Sequence, residues 1–322
     1  MMPHGPEALS RQERILAVHS GALGDVVLFG HLLGRLGGTV TLVAGGAKAR
    51  LLAGMGVAAG AVDFDTLPMH EVFSETQLDA CELPALLGRH DRLVSCFAAG
   101  DRKAELRLAA MCGARRADFL PIRPPKAFRG HLLDLWAGLL GLDGPARDPP
   151  TWRIPDSWRE AAAGALAQAG VREGEAYAVL HPGSGGEAKC WPLDRFELLA
   201  RRLGRSVFVV GPVEADRWPA GRIERLRAAF AVRVCSELPV LAGLLAGADA
   251  VVCNDSGIGH LAAAVGAPTV ALFGPTRPEH FAPRGRAVRV VAADRMQDIS
   301  VDDVEAAVRA SLDRAGSVES SP

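Results

Sequence analysis

An excess of charge of either sign is what this sequence lacks: 36 Lys and Arg stand against 37 Asp and Glu, a net charge of −1 over 322 residues. A dedicated nucleic-acid binder would carry a basic surplus, so that class is set aside. Six cysteines, Cys81, Cys96, Cys112, Cys190, Cys235 and Cys253, are scattered without CxxC spacing. They offer neither a metal-ligand cluster nor a disulfide frame, and fit reduced thiols of a cytosolic protein. No apolar run reaches the length of a membrane span. The nearest, 15–36, is broken by His19, Asp25, His31 and Arg35. The polar stretch 1–14 has no apolar core of the signal-peptide kind. The expectation is a soluble, cytoplasmic protein that at most rests on a membrane surface.

What is present is enough for two cores. Apolar residues make up 49% of the chain and charged residues 23%, the balance of a globular protein long enough for two domains. Apolar strand patterns at 14–18, 39–43 and 92–97 alternate with helical patterns at 26–36, 47–55 and 103–112. Such alternation predicts an α/β fold with a parallel sheet. Between 121 and 158 the pattern breaks into proline-rich chain around one helix, 131–140. The boundary is placed there, giving domains at 1–152 and 153–315 and a disordered Ser-rich tail at 316–322.

The second half carries four strand patterns, 177–180, 206–210, 250–253 and 269–273. Each runs directly into a small polar or glycine loop: His181-Pro182-Gly183-Ser184-Gly185-Gly186, Gly211-Pro212-Val213-Glu214, Asn254-Asp255-Ser256-Gly257 and Gly274-Pro275-Thr276. In an open parallel sheet such loops gather at one edge, where ligands bind. Asp255 or Ser256 can cap the helix that contains His260, offering unpaired N–H groups and a positive dipole end to a phosphate. Structural capping and an interior histidine would explain that stretch equally well on its own.

The set is more specific than its pieces. Gly21-Ala22-Leu23-Gly24-Asp25, then His181-Pro182-Gly183-Ser184 with Lys189-Cys190-Trp191-Pro192, then Asn254-Asp255-Ser256-Gly257 with His260-Leu261-Ala262-Ala263-Ala264, and finally Leu272 to Pro278, together resemble glycosyltransferase family 9, the family of the ADP-heptose:lipopolysaccharide heptosyltransferases. The resemblance runs from about Arg14 to Pro283. It implies a GT-B architecture: two Rossmann-like domains with parallel sheets facing across a cleft, acceptor on the first and nucleotide-sugar donor on the second. It also implies an inverting, metal-independent transfer with no cofactor beyond the donor, expected to be ADP-heptose.

Site roles follow from the same resemblance. Asp25 becomes the base that takes the acceptor's proton, where a lone glycine turn would suggest only a helix cap. Lys189 becomes the cation for the leaving diphosphate, with Ser184 and Gly185 donating to the same phosphates and Trp191 beside them. Glu214 is expected at the nucleoside, and Asp255, Ser256, Gly257 and His260 at the donor's phosphate and sugar. Two departures stand out. His19 occupies a position where members often carry Lys or Arg, and 284–297 lacks the cysteine-bearing segment common in the family.

Between 101 and 130, Arg102, Lys103, Arg107, Arg115, Arg116, Arg123, Lys126 and Arg129 outnumber the acidic residues. This suits an anionic glycolipid or lipopolysaccharide-core acceptor and contact with the cytoplasmic face of the inner membrane, although most of these side chains should simply be solvated. Two alternatives remain open: a GT-B nucleotide-sugar epimerase, and a nucleotide-sugar-binding protein without catalysis. A nicotinamide dehydrogenase is disfavoured, because Gly21-Ala22-Leu23-Gly24-Asp25 is not GxGxxG.

Overall fold

The computed structural model describes residues 12–142, 144 and 149–318. The first domain runs β1 (Arg14–His19), α1 (Leu23–Leu33), β2 (Thr39–Ala44), α2 (Lys48–Gly54), β3 (Gly60–Asp63), α3 (Leu83–Leu87), β4 (Arg92–Ser95), α4 (Arg102–Met111), β5 (Arg116–Phe119) and α5 (Leu132–Leu139). The second runs α6 (Asp156–Gln168), β6 (Ala178–His181), α7 (Leu193–Leu203), β7 (Ser206–Val210), α8 (Pro212–Arg217), α9 (Arg222–Arg227), β8 (Ala231–Val234), α10 (Leu238–Ala246), β9 (Ala250–Asn254), α11 (Gly257–Ala264), β10 (Thr269–Phe273), α12 (Pro278–Phe281), β11 (Val288–Ala292) and α13 (Val301–Val318). The last helix thus extends through 316–318, where the sequence suggested a tail; residues 319–322 of that tail lie outside the described residues.

Both sheets are parallel throughout the described pairs, as expected. Their strand orders are β3-β2-β1-β4-β5 and β11-β10-β9-β6-β7-β8. In register, Leu16 of β1 lies between Thr41 and Leu93, and Val179 of β6 between Val207 and Val251. Strand order reverses between β1 and β4 in one sheet and between β6 and β9 in the other. A crevice opens at the carboxyl ends of strands at such a switch. The loops that leave β1, β6 and β9 are the ones the sequence singled out.

The domains share a core. One apolar cluster runs from Val26, Phe29 and Leu32 of α1 through Trp152 to Leu261 and Val265. Helices α1 and α11 meet at their N-terminal ends. A Cβ on Gly257 would lie 2.8 Å from Leu23 Cβ and 2.9 Å from the Gly24 nitrogen. Only a bare Cα allows that approach, which brings both glycine loops to one place. Polar contacts also cross the junction: His280 Nδ1–H donates to Gly130 O at 2.7 Å, His131 Nε2–H to Ala282 O at 2.8 Å, and Arg284 pairs with Asp134 at 2.9 Å.

His31 of α1 is buried in this junction, 4.7 Å from Trp152 between ring centroids, with no hydrogen bond to either ring nitrogen. Burial, and to a lesser degree His260, pushes its pKa down from 6.5 to about 3. Below pH 6.5 the unfolded chain takes a proton that the folded chain refuses, so stability falls as pH drops toward about 3. Near pH 5 this one group costs about 2 kcal/mol. Thermal melts at neutral pH and near pH 5 should therefore differ less in His31→Leu than in the wild type; an unchanged difference refutes the assignment.

Candidate active site

Two cavities open at these loops. The first, of about 310 Å³, lies between the domains and is lined by Gly21 and Asp25, by Arg123, and by Gly185, Lys189, Asp255, Ser256, Gly257, His260 and Thr276. The second, of about 620 Å³, lies within the second domain and is bordered by Ser184, Trp191, Glu214, Arg217 and Trp218. The residues singled out in the sequence thus divide between two neighbouring spaces, joined by the loop that follows β6.

Asp25 is the third residue of α1, and its Oδ2 accepts the Ala22 N–H at 3.1 Å. It caps the helix from inside its first turn, so the capping and cavity roles coexist in one carboxylate. Oδ1 has no hydrogen-bond partner among the described residues. Burial pushes its pKa above the ordinary aspartate value. The Ala22 N–H and then Arg123 oppose the shift, Asp255 adds to it, and Lys189 opposes it. A carboxylate held more basic than usual in a cavity is suited to taking a proton.

Across the cavity, Lys189 Nζ donates to Asp255 Oδ2 at 2.7 Å, and Thr276 Oγ1 donates to the same oxygen at 2.8 Å. Asp255 therefore pairs with a lysine and a hydroxyl. Ser184 Oγ donates to the Asp255 carbonyl at 2.7 Å, so its hydroxyl proton is already committed. Ser256 occupies the N-cap of α11 without a side-chain cap bond, and its Oγ is buried and unpartnered. Backbone geometry, not the serine hydroxyl, starts that helix.

His260 is 6% exposed, with Nδ1 unpartnered. Burial lowers its pKa to about 4 against the opposing pull of Asp255, so the ring is neutral near pH 7. His19 is neutral too. Its Nδ1 accepts the Gly21 N–H at 2.9 Å, and burial, then Lys48, bring it to about 4. It packs between Phe29 and Trp136. A neutral ring at this position carries no charge near pH 7, unlike the Lys or Arg that family members often have there. Lys48 Nζ, donating to Gly21 O at 3.0 Å, and Arg123 bring positive charge to this turn instead.

Glu214 lies inside α8, where Oε2 accepts the Gly211 N–H at 3.0 Å. Its other oxygen presses on Gly183, whose added Cβ would fall 2.2 Å from it. Trp191 differs most from expectation. Although it borders the second cavity, its indole is 1% exposed, packs on Phe196 and donates to Ile299 O at 3.0 Å. It is a core residue whose backbone N–H serves the site by donating to Asn254 Oδ1 at 3.0 Å. Asn254, wholly buried, also donates to Pro182 O and Gly183 O at 2.8 and 3.3 Å, tying the β6 and β9 loops together.

A family model described as glycosyltransferase family 9 (heptosyltransferase) matches residues 131–307, more than half of the chain. The chain belongs to that family. Lipopolysaccharide heptosyltransferase 1 of Pseudomonas aeruginosa is 40% identical over 116 residues, 35% of this chain and 33% of that protein. Lipopolysaccharide heptosyltransferase 2 of Escherichia coli is 33% identical over 114 residues, 33% of each. These matches span about a third of the curated relatives. The likeness of fold extends further. A glycosyl transferase family 9 structure from Veillonella parvula aligns with TM-score 0.72 and 19% identity, covering 93% of this chain and 97% of that one. E. coli ADP-heptose lps heptosyltransferase II aligns at 0.69 and 18%, covering 94% and 99%. The family 9 chain accordingly has the two-domain GT-B architecture.

Sequence reasoning passed over three residues of this family 9 site. Arg123 lay in a run of basic residues with no mark to separate it, beyond the prolines around it. Thr276 and Asn254 stood inside quoted motifs, but their partners lie 21 and 72 residues away in the chain. Among the described residues, no group of three His, Cys, Asp or Glu is placed to hold a metal, and no helix is long and apolar enough to cross a membrane.

Proposed function

We propose that the protein is an inverting glycosyltransferase that moves a sugar, heptose from ADP-heptose, to a lipopolysaccharide-core or related bacterial glycan acceptor. The observation that carries this reading is that Asp25 of the first domain and Lys189 of the second line one cavity. In a single displacement the acceptor hydroxyl attacks the anomeric carbon and its proton passes to Asp25. The bond to the diphosphate breaks, and its electron pair leaves on the phosphate oxygen, where Lys189 stabilises the developing charge. The two groups are needed on opposite sides of the reacting carbon, and they come from opposite domains. Chemistry of this kind asks for no metal or cofactor beyond the donor.

The acceptor belongs to the first domain, 1–152, and the donor to the second, 153–315, with its nucleoside toward Glu214. Most basic side chains of 101–130 are engaged locally. Arg102, Arg115 and Arg116 pair with carboxylates, as does Lys103, while Arg107 and Arg129 donate to backbone carbonyls. Arg123 and Lys126 instead line space beside Arg277 at the mouth of the cleft. This supports an anionic acceptor and peripheral contact with the cytoplasmic face of the inner membrane.

A melting-temperature screen over nucleoside diphosphates tests the donor half of the reading. A ligand at 100 times its dissociation constant stabilises by about 2.7 kcal/mol. ADP should give the largest shift, in keeping with an E. coli heptosyltransferase, WaaC, solved with ADP. A larger shift with UDP or GDP would reassign the donor, and turnover of ADP-heptose without acceptor would point to an epimerase.

A further inference from the structure

We infer that Thr276 is a positioning residue for Lys189, acting through Asp255: it holds the carboxylate on which Lys189 rests and keeps it satisfied when the lysine turns to the donor diphosphate. The inference rests on the reading above.

The geometry is specific. Lys189 Nζ and Thr276 Oγ1 converge on a single oxygen, Asp255 Oδ2, at 2.7 and 2.8 Å. The backbone of Asp255 is fixed from two further sides, since its N–H donates to Leu272 O at 2.9 Å and its carbonyl accepts from Ser184. Its side chain is only 11% exposed, whereas that of Lys189 is 36% exposed. The lysine is thus the partner with room to move. The aspartate is the partner that cannot follow.

A diphosphate entering the cavity competes with Asp255 for the ammonium. If Lys189 leaves, a nearly buried carboxylate is stranded, and an unsatisfied charged group is costly. Thr276 is the one other side-chain donor to that carboxylate among the described residues. Its hydroxyl makes the exchange affordable. Without it, Asp255 depends wholly on Lys189, grips it harder, and the donor must work against that grip.

Thr276→Val keeps the shape and removes the hydroxyl. Affinity for ADP, measured by calorimetry, should fall roughly tenfold to a hundredfold, with the melting temperature of the free protein little changed. Thr276→Ser should restore it. Because Thr276 also lines the cavity, a direct contact with the donor must be separated from action through Asp255. In an Asp255→Asn background, Thr276→Val should add nothing further. A full second loss there means direct contact and overturns the inference, as does an ADP affinity for Thr276→Val within twofold of the wild type.

A second readout needs no nucleotide. The side-chain NMR resonance of the labelled Lys189, recorded at one fixed pH in the free protein, should move in Thr276→Val and not in Thr276→Ser. An unshifted resonance overturns the inference. If the wild type binds no nucleoside diphosphate while the Lys189 resonance does move in Thr276→Val, the donor reading fails and the positioning by Thr276 stands.

Discussion

Asp25→Asn is expected to lower turnover by roughly 10²–10⁴, with ADP affinity almost unchanged if the donor sits, as proposed, on the other domain. Asparagine keeps the oxygen that accepts the Ala22 N–H and loses only the capacity to take a proton. The pH profile adds a sign. As the proposed base, Asp25 must be ionised to act, and burial raises its pKa, so the wild-type rate should fall on the acid side at a pH above the ordinary aspartate range. Stability should move the other way. The folded chain holds this proton more tightly than the unfolded chain, so between the two pKa values stability declines as pH rises, and at neutral pH the ionised carboxylate is a cost. Asp25→Asn should melt no earlier than the wild type. Wild-type transfer by the variant would make Asp25 a helix cap and nothing more.

Lys189→Ala should weaken transition-state stabilisation by about 2–4 kcal/mol. It should also raise the dissociation constant for ADP, while the fold survives. A second signature distinguishes a site lysine from a surface one. Lys189 holds the Asp25 pKa down, whereas Asp255 holds it up. Removing the lysine leaves Asp255 uncompensated, so the acid limb of the residual activity should move to higher pH. Steady-state kinetics over a pH series measures both effects together. Unchanged kinetics with a normal melting temperature would reduce Lys189 to a solvated side chain.

How far the chain could be read before its structure depended on burial. The central strands β1, β4, β6, β7, β9 and β10 are almost continuously buried, and each was found as an apolar run. The edge strands β3, β5, β8 and β11 were not. β5 reads Arg-Ala-Asp-Phe with its first two residues exposed, and β3 and β8 are only half-buried. An edge strand has one neighbour and a wetter face, so its sequence carries no long apolar signature.

The site divided in the same way. Asp25, Gly257 and His260 were singled out through the family resemblance that their glycine loops help to carry, and all three line one cavity. Pairings were not. Lys189 and Asp255 are 66 residues apart, and nothing local to either shows that the ammonium already has a carboxylate partner. Nor could position alone show that Trp191 serves the site through its backbone while its indole fills the core. Motif resemblance locates a residue. It does not say which of its atoms are free.

The bare contact between Gly257 and the start of α1 sets how this chain can be recombined with its relatives. A chimera that joins one member's first half to another's second half must bring together an α1 and an α11 that were never selected as a pair. A single methyl group at Gly257 would meet Leu23 Cβ at 2.8 Å, and one at Gly24 would meet His260 Cδ2 at 2.8 Å. Overpacking of this kind costs about 1–3 kcal/mol and shifts backbone. Here the displaced backbone carries Asp25 on one side and Ser256 on the other. The natural unit of exchange is therefore either half together with the facing helix of its partner.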